Sequence, residues 1–182
     1  MKVLSRRRPV RLMEQLNRDP NAYLAGKIPD DDWRSRVIPG LRNHSWHDGP
    51  LPQPGFNYVG PFTVRCSHGC RPGPNAHNNV TGCCSDPEQV LADVVTKCLD
   101  AVDHSDIVFC YIERLDCHGT IVELTRAHAQ GIPVVIAFAP GVGDAENNEM
   151  WFPSKLATRL YFGISRCQLP YLVKKSIKEL AW

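Results

Sequence analysis

The chain has 182 residues, 43% of them hydrophobic and 22% charged, with a net charge of +2. This is the make-up of one globular domain able to bury its own core, and it excludes a low-complexity, collagen-like or strongly charged chain. No apolar run approaches the roughly 18 residues of a membrane helix, and so balanced a charge predicts no nucleic-acid surface.

The first 20 residues, "MKVLSRRRPVRLMEQLNRDP", lack the apolar stretch and small-residue cleavage site of a signal peptide, so the expected location is cytoplasmic. The patch "RRRPVR" reads as a solvated basic arm over 1–20. "NAYLAGK" (21–27) is a short β-like run ending in glycine. "DDDWRSRVIPGL" then offers acidic caps, Trp33 and Val37 four apart, and a Pro-Gly stop, which predicts a helix.

From about 43 to 86 the composition turns to Pro, Gly, His, Asn and Cys, broken by a candidate strand in "NYVGPFTVRC". The region reads as an insertion or a long functional loop. Eight cysteines without an export signal argue for thiols or metal ligands over a disulfide framework, and four of them fall between 66 and 84. A structural zinc there would take Cys66, Cys70, His77 and Cys83 as its least strained ligand set. The spacing is not that of a standard zinc finger, and free thiols or a substrate-covering loop fit the same residues.

"SDPEQVLADVVTKCLDAVDHS" has Ser85 or Asp86 as a cap, Pro87 in the first turn, and Leu91, Val94, Val95, Cys98 and Val102 at helical spacing. "IVFCYI" and "IPVVIAF" are continuous apolar runs, joined through the helix "TIVELTRAHAQ" that stops at Gly131. Strands buried on both faces and linked by a helix predict an α/β fold with a parallel sheet. Helices are expected in "SKLATRLYF" and "YLVKKSIKEL". No internal repeat is present.

Open parallel sheets bind ligands beyond the carboxyl ends of their strands, and both "YLAGK" and "ERLDCHGT" fall at such ends. Gly26, Gly119 and Thr120 are therefore candidate substrate-contacting positions, and Glu123 is the carboxylate beside them. Thr120-Ile121-Val122-Glu123 is equally a capping-box pattern, in which Glu123 would only reach back to a backbone N–H. Spacing alone leaves Glu123 open between cap and reagent.

The order and spacing of "AYLAGK" and "SDIVFCYIERLDCHGTIVELTRAHAQGIPVVI" resemble the nucleoside 2-deoxyribosyltransferase family. Its pattern is an early Tyr-x-(Ala/Gly)-Gly strand end, an Asp before an apolar strand, a Gly-x-x-x-Glu-(Leu/Ile)-Gly helix start and a Pro-Val strand. The likeness covers residues 21–31 and 88–150, about two-fifths of the chain. It implies a flavodoxin/Rossmann-like three-layer sandwich, with the Cys/His-rich segment as an insertion in a single domain over 1–182.

The resemblance also implies roles. Glu123 would attack C1′ of a nucleoside, Tyr23 would orient it, and Asp116 would be the loop acid near base or sugar. Asn148 would contact substrate from a neighbouring subunit, so a homo-oligomer is expected, and the apolar trio Met150, Trp151 and Phe152 fits burial against a partner or under the chain's own helices. Asp106 is a further acid or substrate contact, although at a strand start it is also a plain hydrogen-bond acceptor. Two positions depart from the pattern: Cys98 stands where the family often has Asp, and Thr125 where many members have Gly.

The expected activity is cleavage or transfer at the N-glycosidic bond of a (deoxy)nucleoside or nucleotide, through a covalent sugar–enzyme intermediate and with no catalytic cofactor. A phosphate on the substrate would have to meet Arg114, Lys27 and backbone N–H groups. Cleavage of a nicotinamide dinucleotide, and a non-catalytic nucleotide sensor with Glu123 as a cap, are the alternatives.

Overall fold

A computed structural model describes residues 18–28, 31–44, 46–62, 87–142 and 148–181. Its frame is a six-stranded sheet of β1 (Asn21–Ala25), β2 (Leu51–Gln53), β3 (Phe56–Gly60), β4 (Ile107–Ile112), β5 (Val134–Phe138) and β6 (Arg159–Tyr161). The spatial order is β2-β3-β1-β4-β5-β6, with every neighbouring pair parallel except β2 and β3.

The helices are α1 (Arg34–Val37), α2 (Pro87–Asp103), α3 (His118–Ala129), α4 (Trp151–Leu156) and α5 (Leu169–Leu180). Alternation along the central strands sends Phe109, Tyr111, Val135 and Ala137 to one face, where they meet Trp33 and Val37 of the α1 region and Leu172, Val173 and Ile177 of α5. Val108, Cys110, Ile112, Ile136 and Phe138 go to the other, against Val102 of α2 and Leu124 and Ala127 of α3. Both faces of the sheet are covered, which is why β4 and β5 read as unbroken apolar runs. The result is the expected α/β three-layer sandwich.

Three local expectations change. The stretch expected to open an insertion carries a hairpin that joins the sheet: in "LPQPGFNYVG" the chain reverses at Pro54-Gly55, with Gly55 at φ 86°, as a Pro-Gly turn requires. β3 then pairs with β1. The helix expected in "SKLATRLYF" ends at Leu156, because Thr158 engages β5 through both its backbone N–H, donated to Val134 O at 2.7 Å, and its hydroxyl, which accepts from Val134 N at 3.1 Å. Residues 159–161 follow as β6.

The third change concerns α3. It starts at His118, with Cys117 preceding it and no side-chain cap. Thr120 is therefore buried within the first turn, and Glu123 is the sixth helical residue. Of the two readings of Glu123, the capping box does not form.

Candidate active site

The carboxyl end of β1 is a tight passage. Gly26 has φ 151°, and a Cβ there would lie 2.8 Å from Tyr111 O and 3.2 Å from Trp33 Nε1, so only glycine fits. Gly60 at the end of β3 is equally constrained: its φ is 146°, and a Cβ would meet Trp46 Cη2 at 2.9 Å and the Tyr23 ring at 3.0 Å. The Tyr23 ring is thus seated directly against the backbone of β3.

From that seat the Tyr23 hydroxyl donates to Glu123 Oε1 at 2.5 Å, joining residues a hundred positions apart. Tyr23 is fully buried, and burial together with the neighbouring Glu123 charge pushes its pKa well above 10. The phenol keeps its proton. Glu123 is half-buried, and loss of solvent raises its pKa from 4.5 to about 6, against the opposing pull of the Tyr23 hydrogen bond and the Arg34 charge. At pH 7 such a group is about 90% ionised. It is a stronger base than an ordinary surface glutamate, and it is anchored by one oxygen.

Cys98 of α2 packs on the same cluster as Tyr23. Burial, followed by the Glu123 charge, lifts its thiol to about 11, and burial raises Cys110 and Cys117 as well. These are neutral thiols, unsuited to nucleophilic attack.

Asp116 has other partners. It accepts from Arg114 at 3.0 and 3.1 Å and pairs with Lys27, so it ties the loop after β4 to the end of β1. The Lys27 hydrogen bond holds its carboxyl below the usual range, so at neutral pH it is an acceptor and not an acid. Lys27 and Arg114, the two cations expected to meet a phosphate, are both engaged with it.

Asp106 lies at the amino ends of the strands. It accepts from Asn21 N at 2.8 Å and pairs with Arg18, so it takes the structural role open to a strand-start acid and sits apart from the Glu123 cluster. Gly119 is exposed in the first turn of α3 with open space where a side chain would project. Asn148 begins a short 3-10 turn, Asn148–Met150, ahead of α4. Met150 is buried in the core face that holds Tyr23, whereas Trp151 and Phe152 remain 54% and 58% exposed. Cys66, Cys70, His77 and Cys83 lie outside the described residues, and among the described residues no cluster of three or more metal-ligating side chains forms.

Two members of the site were not legible as such. Arg34 reads in the sequence as one more charge on a short amphipathic helix, and Gly60 as a turn residue. The close approach of Gly60 to Tyr23 has no sequence signal, although "YVGPF" does mark a strand end. Among the described residues no helix is long and apolar enough to cross a membrane. No family model matches the chain and no curated protein matches it, so the site stands on its geometry.

Proposed function

We propose that this protein cleaves or transfers the N-glycosidic bond of a (deoxy)nucleoside or nucleotide, with Glu123 as the nucleophile. The contact from Tyr23 to Glu123 at 2.5 Å is the observation that supports this most: a half-buried carboxylate past the first turn of α3, held by a phenol from another element, is arranged as a reagent and caps nothing. The likeness in the residues around Tyr23 and Glu123 supplies the substrate class.

In this reading one Glu123 oxygen stays on Tyr23 while the other bonds to C1′ as the C1′–N bond breaks through an oxocarbenium-like transition state. The departing base takes its proton from water, and the hydroxide so formed, or a second base that gives its N–H proton to that hydroxide, attacks C1′, breaks the ester bond to Glu123 and returns the free carboxylate with retained configuration. Asp116, ionised, would accept a hydrogen bond from a sugar hydroxyl or from the base. Exposed Trp151 and Phe152 support self-association, which would let a neighbouring chain bring Asn148 to the site, and light scattering tests it. Structural zinc on Cys66, Cys70, His77 and Cys83 stays part of the proposal. Metal analysis should find about one zinc per chain in protein purified without added metal.

The deciding experiment is free-base release from a panel of deoxynucleosides, ribonucleosides, their 5′-monophosphates and a nicotinamide dinucleotide. Release by the native protein and none by Glu123→Gln is expected. No release from any of them would return the protein to the class of binding modules, and release that survives Glu123→Gln would take the nucleophile's role away from Glu123.

A further inference from the structure

Arg34 is fully excluded from solvent. A guanidinium stays charged in any protein environment, and burying one is unfavourable unless its donors and its charge are both met. The donors are met mainly by one strand end: Nε donates to Leu24 O at 2.6 Å, Nη2 to Gly26 O at 2.5 Å, and Nη1 to Lys27 O at 3.4 Å and Asp32 Oδ1 at 2.8 Å. The cation also lies 4.9 Å from the centroid of the Trp33 ring. Leu24 follows Tyr23 directly, so the guanidinium grips the strand on which the Glu123 partner sits.

Three carbonyl groups could be satisfied by neutral donors. A buried permanent cation answers a need for charge, and Asp32 supplies one negative partner at the rim. The groups that respond to the Glu123 charge include Tyr23 on β1, Tyr58 on β3, Cys98 on α2, Cys110 on β4, Cys117 ahead of α3, and Arg34. Burial keeps both phenols and all three thiols protonated and uncharged. Arg34 is the cation in that set.

We propose that Arg34 is a positioning residue of this site: it locks the carboxyl end of β1 at Gly26, so that Tyr23 is presented to Glu123, and it is the buried counter-charge of the Glu123 carboxylate. The inference rests on the reading of Glu123 as the nucleophile. It makes Asp32 the tuning group, since Asp32 shares the Arg34 charge at 2.8 Å and removing its carboxylate leaves more of that charge to Glu123.

The test is a carbon-13 carboxyl titration of Glu123 by NMR in the full chain, with the resonance assigned through Glu123→Gln. It needs no substrate, so its failure is distinct from failure of the base-release assay, which alone judges the nucleophile. Arg34→Gln should raise the Glu123 midpoint by about one pH unit, because it removes a buried positive charge and loosens the strand end that presents Tyr23. Arg34→Lys, which keeps the charge but loses the fork, should stay closer to the native value than Arg34→Gln. Asp32→Asn should move the midpoint the other way, by about half a unit. If Arg34→Gln does not fold, Asp32→Asn decides, because an amide oxygen at this partly exposed position can still accept from Arg34 Nη1 and from its backbone N–H. A folded Arg34→Gln with an unmoved midpoint, or an Asp32→Asn midpoint that is unmoved or raised, overturns the proposal.

Discussion

Asp116 and Glu123 lie seven positions apart, and the two carboxylates live in opposite environments. Asp116 is exposed, bonded to two cations and held below the ordinary carboxylate range by Lys27. Glu123 is half-buried, bonded to a neutral phenol and raised to about 6 by loss of solvent. Residue type does not separate them; surroundings do, and pairs pushed apart in this way are how one fold assigns different acid–base roles to like groups. Asp116 is built to stay charged and accept hydrogen bonds. Glu123 sits where a proton is gained or lost near pH 6.

The largest expected effect comes from Glu123→Gln, which should reduce base release by about 10³-fold or more. The same change should stabilise the fold at neutral pH. The sign follows from proton uptake: with a folded pKa near 6 and an ordinary value of 4.5, the native state binds more protons between those limits, so Glu123 favours folding at low pH and that contribution is lost as pH rises through about 6. The loss is roughly 2 kcal/mol, which Gln at that position escapes. Thermal melts of the two proteins at pH 4.5 and pH 7.5 check it. A Gln variant that is less stable at pH 7.5 would make Glu123 a structural group and erase the contrast with Asp116.

Tyr23→Phe is the middle case. It removes the hydrogen bond that opposes the burial of Glu123, so the Glu123 midpoint should climb above 6 and the acid limb of the pH–rate profile should move with it. Activity at pH 6.5 should fall about tenfold, with a smaller loss at pH 8. A uniform loss across pH would mean that Tyr23 matters through packing alone.

Asp116→Asn is the smallest. The exposed pairs it breaks contribute little to stability, as surface ion pairs generally do, so the melting temperature should be unchanged. KM should rise a few-fold with kcat nearly intact, since Asp116 is assigned contacts common to bound substrate and transition state. A large fall in kcat would instead give Asp116 a chemical step and bring the two carboxylates together in role.

Parts of this were readable along the chain. The β4–α3–β5 unit follows from two apolar runs flanking a helical pattern, because each strand buries both faces and needs no distant partner to declare itself. β2 and β6 escaped because each has only three residues, too few for a periodic signal. The capping pattern at Thr120 misled for a different reason. α3 begins two residues earlier, which carries Glu123 past the turn where a side chain can reach free backbone donors.

What the amino-acid order determined by itself is the local material: apolar strands, an amphipathic α2, glycines at strand ends, and a carboxylate near the start of α3. Tertiary structure decided what that carboxylate is. The bond from Tyr23 spans a hundred residues, the ring that makes it is seated by a glycine on a third element, and the strand end that carries it is gripped by a buried arginine on a fourth. Each of these depends on desolvation, and desolvation belongs to the packed assembly of strands and helices, since no short segment can remove its own side chains from water.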